Sequence, residues 1–364
     1  MQQKYLLSSI ALGTTILLGG AVFFSRSQEG KNIPTPSFVA SSTEVLVATT
    51  TASATSTLAT RRQCLEEGDV AEYKLTDNRN AEDSATIFVK KDGKVKNQFE
   101  IPIPSATHYF PVELQHCGAY AIRTFGYDFK NKIMLAEYRR ELWKYDYGGK
   151  GSSLAKDFAR TSAENTLGDF RISPTEKYVV LTRAFPGQPN FALIIKNLDT
   201  MKDDMVFPMV DLYKDHPELL NSLALNGWSS DGRYLWANTF DAAVVVSFIR
   251  VDTQTGKAQI FPAPPDVLGG DAFNPDTGNI TQHPGNFWSG DADYDAQIRK
   301  EREAQGEGTD LYVHNLLTGK RTLIAHSPYA TQYFRPKWLS TSTLEYFMPT
   351  LDGDKGERRE WRED

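Results

Sequence analysis

The sequence predicts an all-β domain: a β-propeller of about five blades, with six as the alternative count, closed by pairing of its N- and C-terminal strands. Three observations predict it. Short runs rich in Val, Ile, Tyr, Phe and Thr alternate with Gly, Asp, Asn and Pro through the body of the chain, as strands alternate with tight turns. One hairpin turn recurs at near-equal spacing. A second turn interleaves with the first.

In chain order, the first expected element is a membrane helix. Residues 5–24 carry no charge over 20 positions, which as a helix spans about 30 Å, the hydrocarbon thickness of a bilayer. We assign residues 1–25 as a transmembrane signal-anchor, with a cleaved signal peptide as the alternative. Either reading exports the body, giving a single-pass protein with an extracytoplasmic C-terminal domain, or a secreted one after cleavage. Residues 26–62 follow as a linker. Between positions 35 and 60, 18 of 26 residues are Ser, Thr or Ala, too few apolar groups to offset chain entropy, so this segment is expected to be a disordered stalk. The propeller is assigned to residues 63–350 and a charged tail to 351–364.

The recurring turn joins two apolar strands and ends in Lys. Its copies are VDTQTGK ending at Lys257, HNLLTGK at Lys320, KNLDTMK at Lys202, KKDGK at Lys94 and KYDYGGK at Lys150. They are spaced by 56, 52, 55 and 63 residues. Gly or a polar residue at the end of such a turn supplies the positive φ that a tight hairpin demands.

The interleaved turn is best seen in Trp228-Ser229-Ser230-Asp231-Gly232-Arg233-Tyr234-Leu235. Degenerate copies begin at Ile172 and Phe273, a remote one at Trp338, and another is expected within residues 128–134. The motif resembles the W-S-P-D-G-K-x-hydrophobic repeat of TolB-like, WD40-like (PD40-type) β-propellers over roughly residues 118–349, with Ser230 where the repeat has Pro. The resemblance implies a propeller, and six blades are frequent in that family. Counted here, five outer hairpins and five inner ones leave an unpaired half at each end. Ring closure, with residues 334–348 pairing beside 87–101, would join the halves into a fifth blade and leave few open edges.

Two cysteines, Cys64 and Cys117, form an even count in an exported chain and are expected to be disulfide-bonded. The body carries 37 basic against 44 acidic residues, which excludes general nucleic-acid binding. Gly148-Gly149-Lys150-Gly151-Ser152 lacks the order of a phosphate loop, because Gly follows the Lys. Gly227 to Gly232 is one residue too long for a nucleophile elbow. The six His show no metal-ligand spacing, and no cofactor is expected.

One connection is about 17 residues longer than its counterparts, and the excess lies within 283–308. Its second half reads as a short charged helix. Its first half sets Phe287, Trp288 and Tyr294 beside Asp291, Asp293 and Asp295. The three Asp would suit a hard cation such as Ca²⁺, although the EF-hand pattern fails, with Ala296 at its glycine position and Arg302 at its glutamate position. The plainer reading is a solvated, helix-capping loop. The three aromatics are the candidate partner contacts. In a propeller the tight turns share one end and the longer connections the other, and function tends to sit on long loops held by a rigid scaffold. The expectation is therefore a tethered, non-catalytic domain that binds a protein or glycan, or else an envelope-polymer hydrolase or lyase using carboxylates of the same loops.

Overall fold

A computed structural model describes residues 64–363 apart from 77–82, 104–111, 129–130, 132, 160–165, 186–189, 218–221, 242–243, 266, 269–270, 284–296, 299, 303, 329–333 and 349–355. The expected anchor and stalk lie outside this set. Among the described residues no helix is long and apolar enough to cross a membrane.

The described chain forms six antiparallel sheets in sequence order. The first holds β1 (Asp69–Thr76), β2 (Asp83–Lys91) and β3 (Lys94–Ile103). The second holds β4 (Val112–Gln115), β5 (Gly118–Asp128), β6 (Ile133–Tyr145) and β7 (Gly151–Ala159). The third holds β8 (Thr166–Ile172), β9 (Tyr178–Phe185), β10 (Asn190–Asn197) and β11 (Asp203–Pro208), followed by a single helical turn, α1 (Met209–Leu212). The fourth holds β12 (Ser222–Trp228), β13 (Tyr234–Asp241), β14 (Val244–Asp252) and β15 (Lys257–Pro262). The fifth holds β16 (Phe273–Asn274), β17 (Asn279–Gln282), β18 (Thr309–Asn315) and β19 (Arg321–Ser327). The sixth holds β20 (Lys337–Trp338), β21 (Thr343–Met348) and β22 (Glu357–Arg362).

Each sheet packs face to face on the next through its own hydrophobic cluster. Ala71, Ile87 and Ile101 meet Ala119 and Ala121. Ile122 and Leu142 meet Ile172, Val179 and Leu181. Val180, Leu193 and Ile195 meet Leu225, Leu235 and Ile249. Trp236 and Phe248 meet Ile280 and Leu316, and Leu311 and Val313 meet Phe334, Leu344 and Tyr346. Successive residues of one strand point to opposite neighbours: Val179 enters the second seam and Val180 the third, as Leu235 enters the third and Trp236 the fourth. This two-sided burial makes the middle strands near-continuous apolar runs. Sequential sheets stacked in this way are blades of a propeller.

The turn repeats have a hydrogen-bonding cause. In the outer turns an Asx side chain caps the loop: Asn197, Asp252 and Asn315 each accept two backbone N–H groups from residues two and three positions on. Gly256 and Gly319 then take φ of 66° and 73°, and Met201 holds the same left-handed position at 55°. In the inner turns Ser173 and Ser229 accept the N–H groups of Tyr178 and Tyr234. An acidic side chain then stitches one blade to the one before. Asp276 accepts Ser230 N–H at 2.6 Å, and Glu176 accepts Cys117 N–H at 2.6 Å.

Three expectations are corrected. The segment 334–348 does not pair beside 87–101: β21 lies between β20 and β22, in a separate sheet from β2 and β3. Its neighbour, β22, comes from the stretch read as a charged tail, where Trp361 packs edge-on against Trp338 at 6.3 Å while the charges face outward. The inner turn expected within 128–134 lies instead at His116 and Cys117, between β4 and β5. It lacks the Asp-Gly pair because a disulfide, Cys64–Cys117 (S–S 2.07 Å), and Glu176 hold it from outside.

Candidate functional site

In every four-stranded sheet the first and third turns share one end, so the second turns and the inter-sheet connections share the other. That second end carries the long connections. After β11, Pro208 stops the strand and α1 turns the chain so that Met209 and Tyr213 are buried. Burial pushes the Tyr213 phenol above its ordinary pKa, and its hydroxyl lies 2.7 Å from Ser247 Oγ, which lies 2.6 Å from Thr239 Oγ1. This buried chain of hydroxyls fixes the connection to β13 and β14.

The next connection is pinned by Val267, whose carbonyl accepts Val245 N–H. Asp271 then works in two directions. One oxygen accepts Leu268 N–H at 2.8 Å, and the other lies 2.6 Å from His283 Nδ1. Both side chains of this pair are buried, and the His283 ring stacks on Phe334 at 5.7 Å. His283 Nε2 is buried without a hydrogen-bond partner. The pair stands at the root of the long insertion. Within the insertion, residues 297–298 and 300–302 are helical, and Arg302 pairs with Glu307 at 2.8 Å.

Phe287, Trp288, Asp291, Asp293, Tyr294 and Asp295 all lie outside the described residues, so neither the aromatic contact nor the Ca²⁺ site acquires a geometry. Among the described residues one group has metal-ligating atoms close together, Cys64, His116 and Cys117, within 4.8 Å. Both of its sulfurs are spent in the disulfide, which leaves no thiolate to bind a metal.

The innermost strands hold a charged cluster the sequence reading missed. Arg171 on β8 lies 3.1 Å from both Glu113 on β4 and Asp169 on β8. Burial raises the Asp169 carboxyl to about 6, against the opposing pull of Arg171 and of backbone N–H groups of Phe170 and Leu225. The signal was the alternation Asp169-Phe170-Arg171-Ile172, two charges on one side of an otherwise apolar strand.

No family model matches the chain, and no characterised protein matches it by sequence. Solved structures do. Its structural neighbours are TolB and other β-propeller proteins. TolB from Acinetobacter baumannii is 14% identical with a TM-score of 0.42, over 81% of this chain and 61% of TolB. The present chain thus spans less than two thirds of TolB's length. The β-propeller domain of the Trilobed protease from Pyrococcus furiosus is 9% identical (TM-score 0.46, 82% of this chain, 78% of that one). Oligogalacturonate lyase from Vibrio parahaemolyticus is 12% identical (TM-score 0.45, 81% and 73%).

Proposed function

We propose that the chain is a membrane-tethered, extracytoplasmic recognition domain, a six-bladed open propeller that binds a protein or glycan partner without catalysis. The observation that carries this is the anchoring of the long connections: Tyr213, Val267 and Asp271 pin them at their roots, so that a rigid scaffold presents them at one end.

The test replaces residues 287–306 with a short Gly-Ser bridge in the full-length protein. Capture of an envelope partner after in-cell cross-linking should be lost while the thermal transition stays within a few degrees. Undiminished capture would place recognition elsewhere. Turnover of an envelope polysaccharide that disappears in Asp169→Asn would favour the enzymatic alternative instead.

A further inference from the structure

The outer part of the β5–β6 hairpin carries a ladder of cations and rings on one face. Across the two strands Ala121 sits opposite Trp143, Arg123 opposite Glu141, and Phe125 opposite Arg139. Alternation places all six side chains on the same side of the sheet. The Arg123 guanidinium lies 4.7 Å from the Trp143 ring centre and 5.1 Å from that of Phe125. Arg139 lies 4.9 Å from the same Phe125 ring.

A guanidinium taken partly out of water ordinarily meets a carboxylate. The acid in register with Arg123 is Glu141, and it is committed elsewhere. One of its oxygens accepts Arg139 Nε at 3.0 Å and the other accepts Trp143 Nε1 at 2.8 Å. Arg123 Nε is buried without a hydrogen-bond partner. The two rings therefore fix the fork of Arg123 in place, and nothing in register neutralises it. Arg139 spends its Nε on Glu141 while its side chain stays 41% exposed, within reach of a second anion.

We propose that the half-buried end of this face, beyond Ala121 and Trp143, which pack on the first sheet, is a docking site for an acidic peptide segment in extended conformation, with one carboxylate on Arg123 and another, two residues along, on Arg139. The spacing fits. Alternate side chains of an extended strand are about 6.8 Å apart, and diagonal positions of a hairpin such as 123 and 139 are roughly 7 Å apart. An acidic glycan fits less well, because a sugar needs an open ring face to stack on and both rings already carry a guanidinium. The inference rests on the recognition reading above and names its partner chemistry. It also has a test of its own.

The probe is acetyl-(Glu-Thr)₄-amide, titrated calorimetrically into the intact protein at low salt, with acetyl-(Gln-Thr)₄-amide and a trimeric uronate as comparators. The acidic peptide should bind, the Gln peptide should not, and the affinity should fall as salt is raised. Arg123→Ala should weaken binding at least ~10-fold, the value of one hydrogen bond to a charged group. Arg123→Met, which keeps the aliphatic stem on the rings, should do the same with an unchanged thermal transition. Equal affinity for the parent and Arg123→Met would overturn the proposal. So would uronate binding that is tighter than the peptide's and lost in the same variant. Failure here with the insertion test still positive sinks the docking site alone; failure of the insertion test with peptide binding intact moves the recognition surface to this hairpin.

Discussion

The carboxylate of Glu176 accepts the backbone N–H of Cys117 at 2.6 Å, joining the inner turn of the third sheet to that of the second. The same carboxylate takes Tyr120 Oη–H and Lys144 Nζ. Glu176 occupies the position where other inner turns have Gly232 or Gly278, and does so at φ 53°. Left-handed backbone at a non-glycine residue costs on the order of 1 kcal/mol. A charge-assisted hydrogen bond contributes roughly 1.5–3 kcal/mol, so the side chain wins. Glu176→Gly, which relieves the backbone and removes the acceptor, should lower stability by about 2 kcal/mol in urea denaturation. A more stable Gly variant would mean that the three contacts together contribute less than the left-handed backbone costs.

The disulfide should be worth more. It closes a 53-residue separation between the segment before β1 and the β4–β5 turn. In the chain-entropy view a loop of that length stabilises by about 4 kcal/mol. The double variant Cys64→Ser/Cys117→Ser should lose stability on that order, and non-reduced peptide mapping of the native protein should recover the two cysteines as one cross-linked species. Free-thiol labelling of both would contradict this.

Asp169 predicts a pH dependence. Its folded-state pKa is raised from 3.8 to about 6 by burial, so between those values the folded protein binds a proton that the unfolded chain does not. The ionised, buried form is the costly one. Stability should therefore rise as pH is lowered from 7 to 4, by an increment on the order of 2 kcal/mol from this group. Asp169→Asn should flatten the slope in that window. An unaltered slope in the variant would assign the dependence to other carboxylates.

The sixth sheet and the first should form the weakest part of the structure. Among the described residues five hydrophobic clusters join successive sheets, and none joins the last sheet to the first. The outward faces of those two sheets carry ion pairs instead, Glu72 with Lys90 and Glu345 with Arg358. Hydrogen exchange should open β1 and β20–β22 well before β9, β10, β13 and β14, whose strands are apolar on both faces. Uniform protection around the structure would indicate a closed sixth seam.

Much of this was legible in the chain. The outer turns could be placed because Asn197, Asp252 and Asn315 cap them through local contacts that the sequence spacing exposes. The Ser229-Ser230-Asp231-Gly232 turn was legible for the same reason. What escaped was set by partners far away in sequence. The β4–β5 turn is held by Cys64 and by Glu176, 59 residues beyond Cys117, so it has no local signature. β22 was hidden because only Trp361 of its six side chains turns inward, and five charged neighbours mimic a solvated tail. Of the candidate site, the grouping of the long connections at one end followed from the alternation of turns. The anchoring pairs, Asp271 with His283 and Arg171 with Glu113, are tertiary and left only isolated charges in apolar surroundings.

The proposal that the long-connection end recognises a partner can be tested most directly by photo-cross-linking in whole cells. A photoreactive residue at the exposed position of Asp211, on α1, reports on that end; one at Thr318, in an exposed outer turn, reports on the opposite end. A partner should be trapped from position 211 and not from 318. Trapping from 318 alone would contradict it.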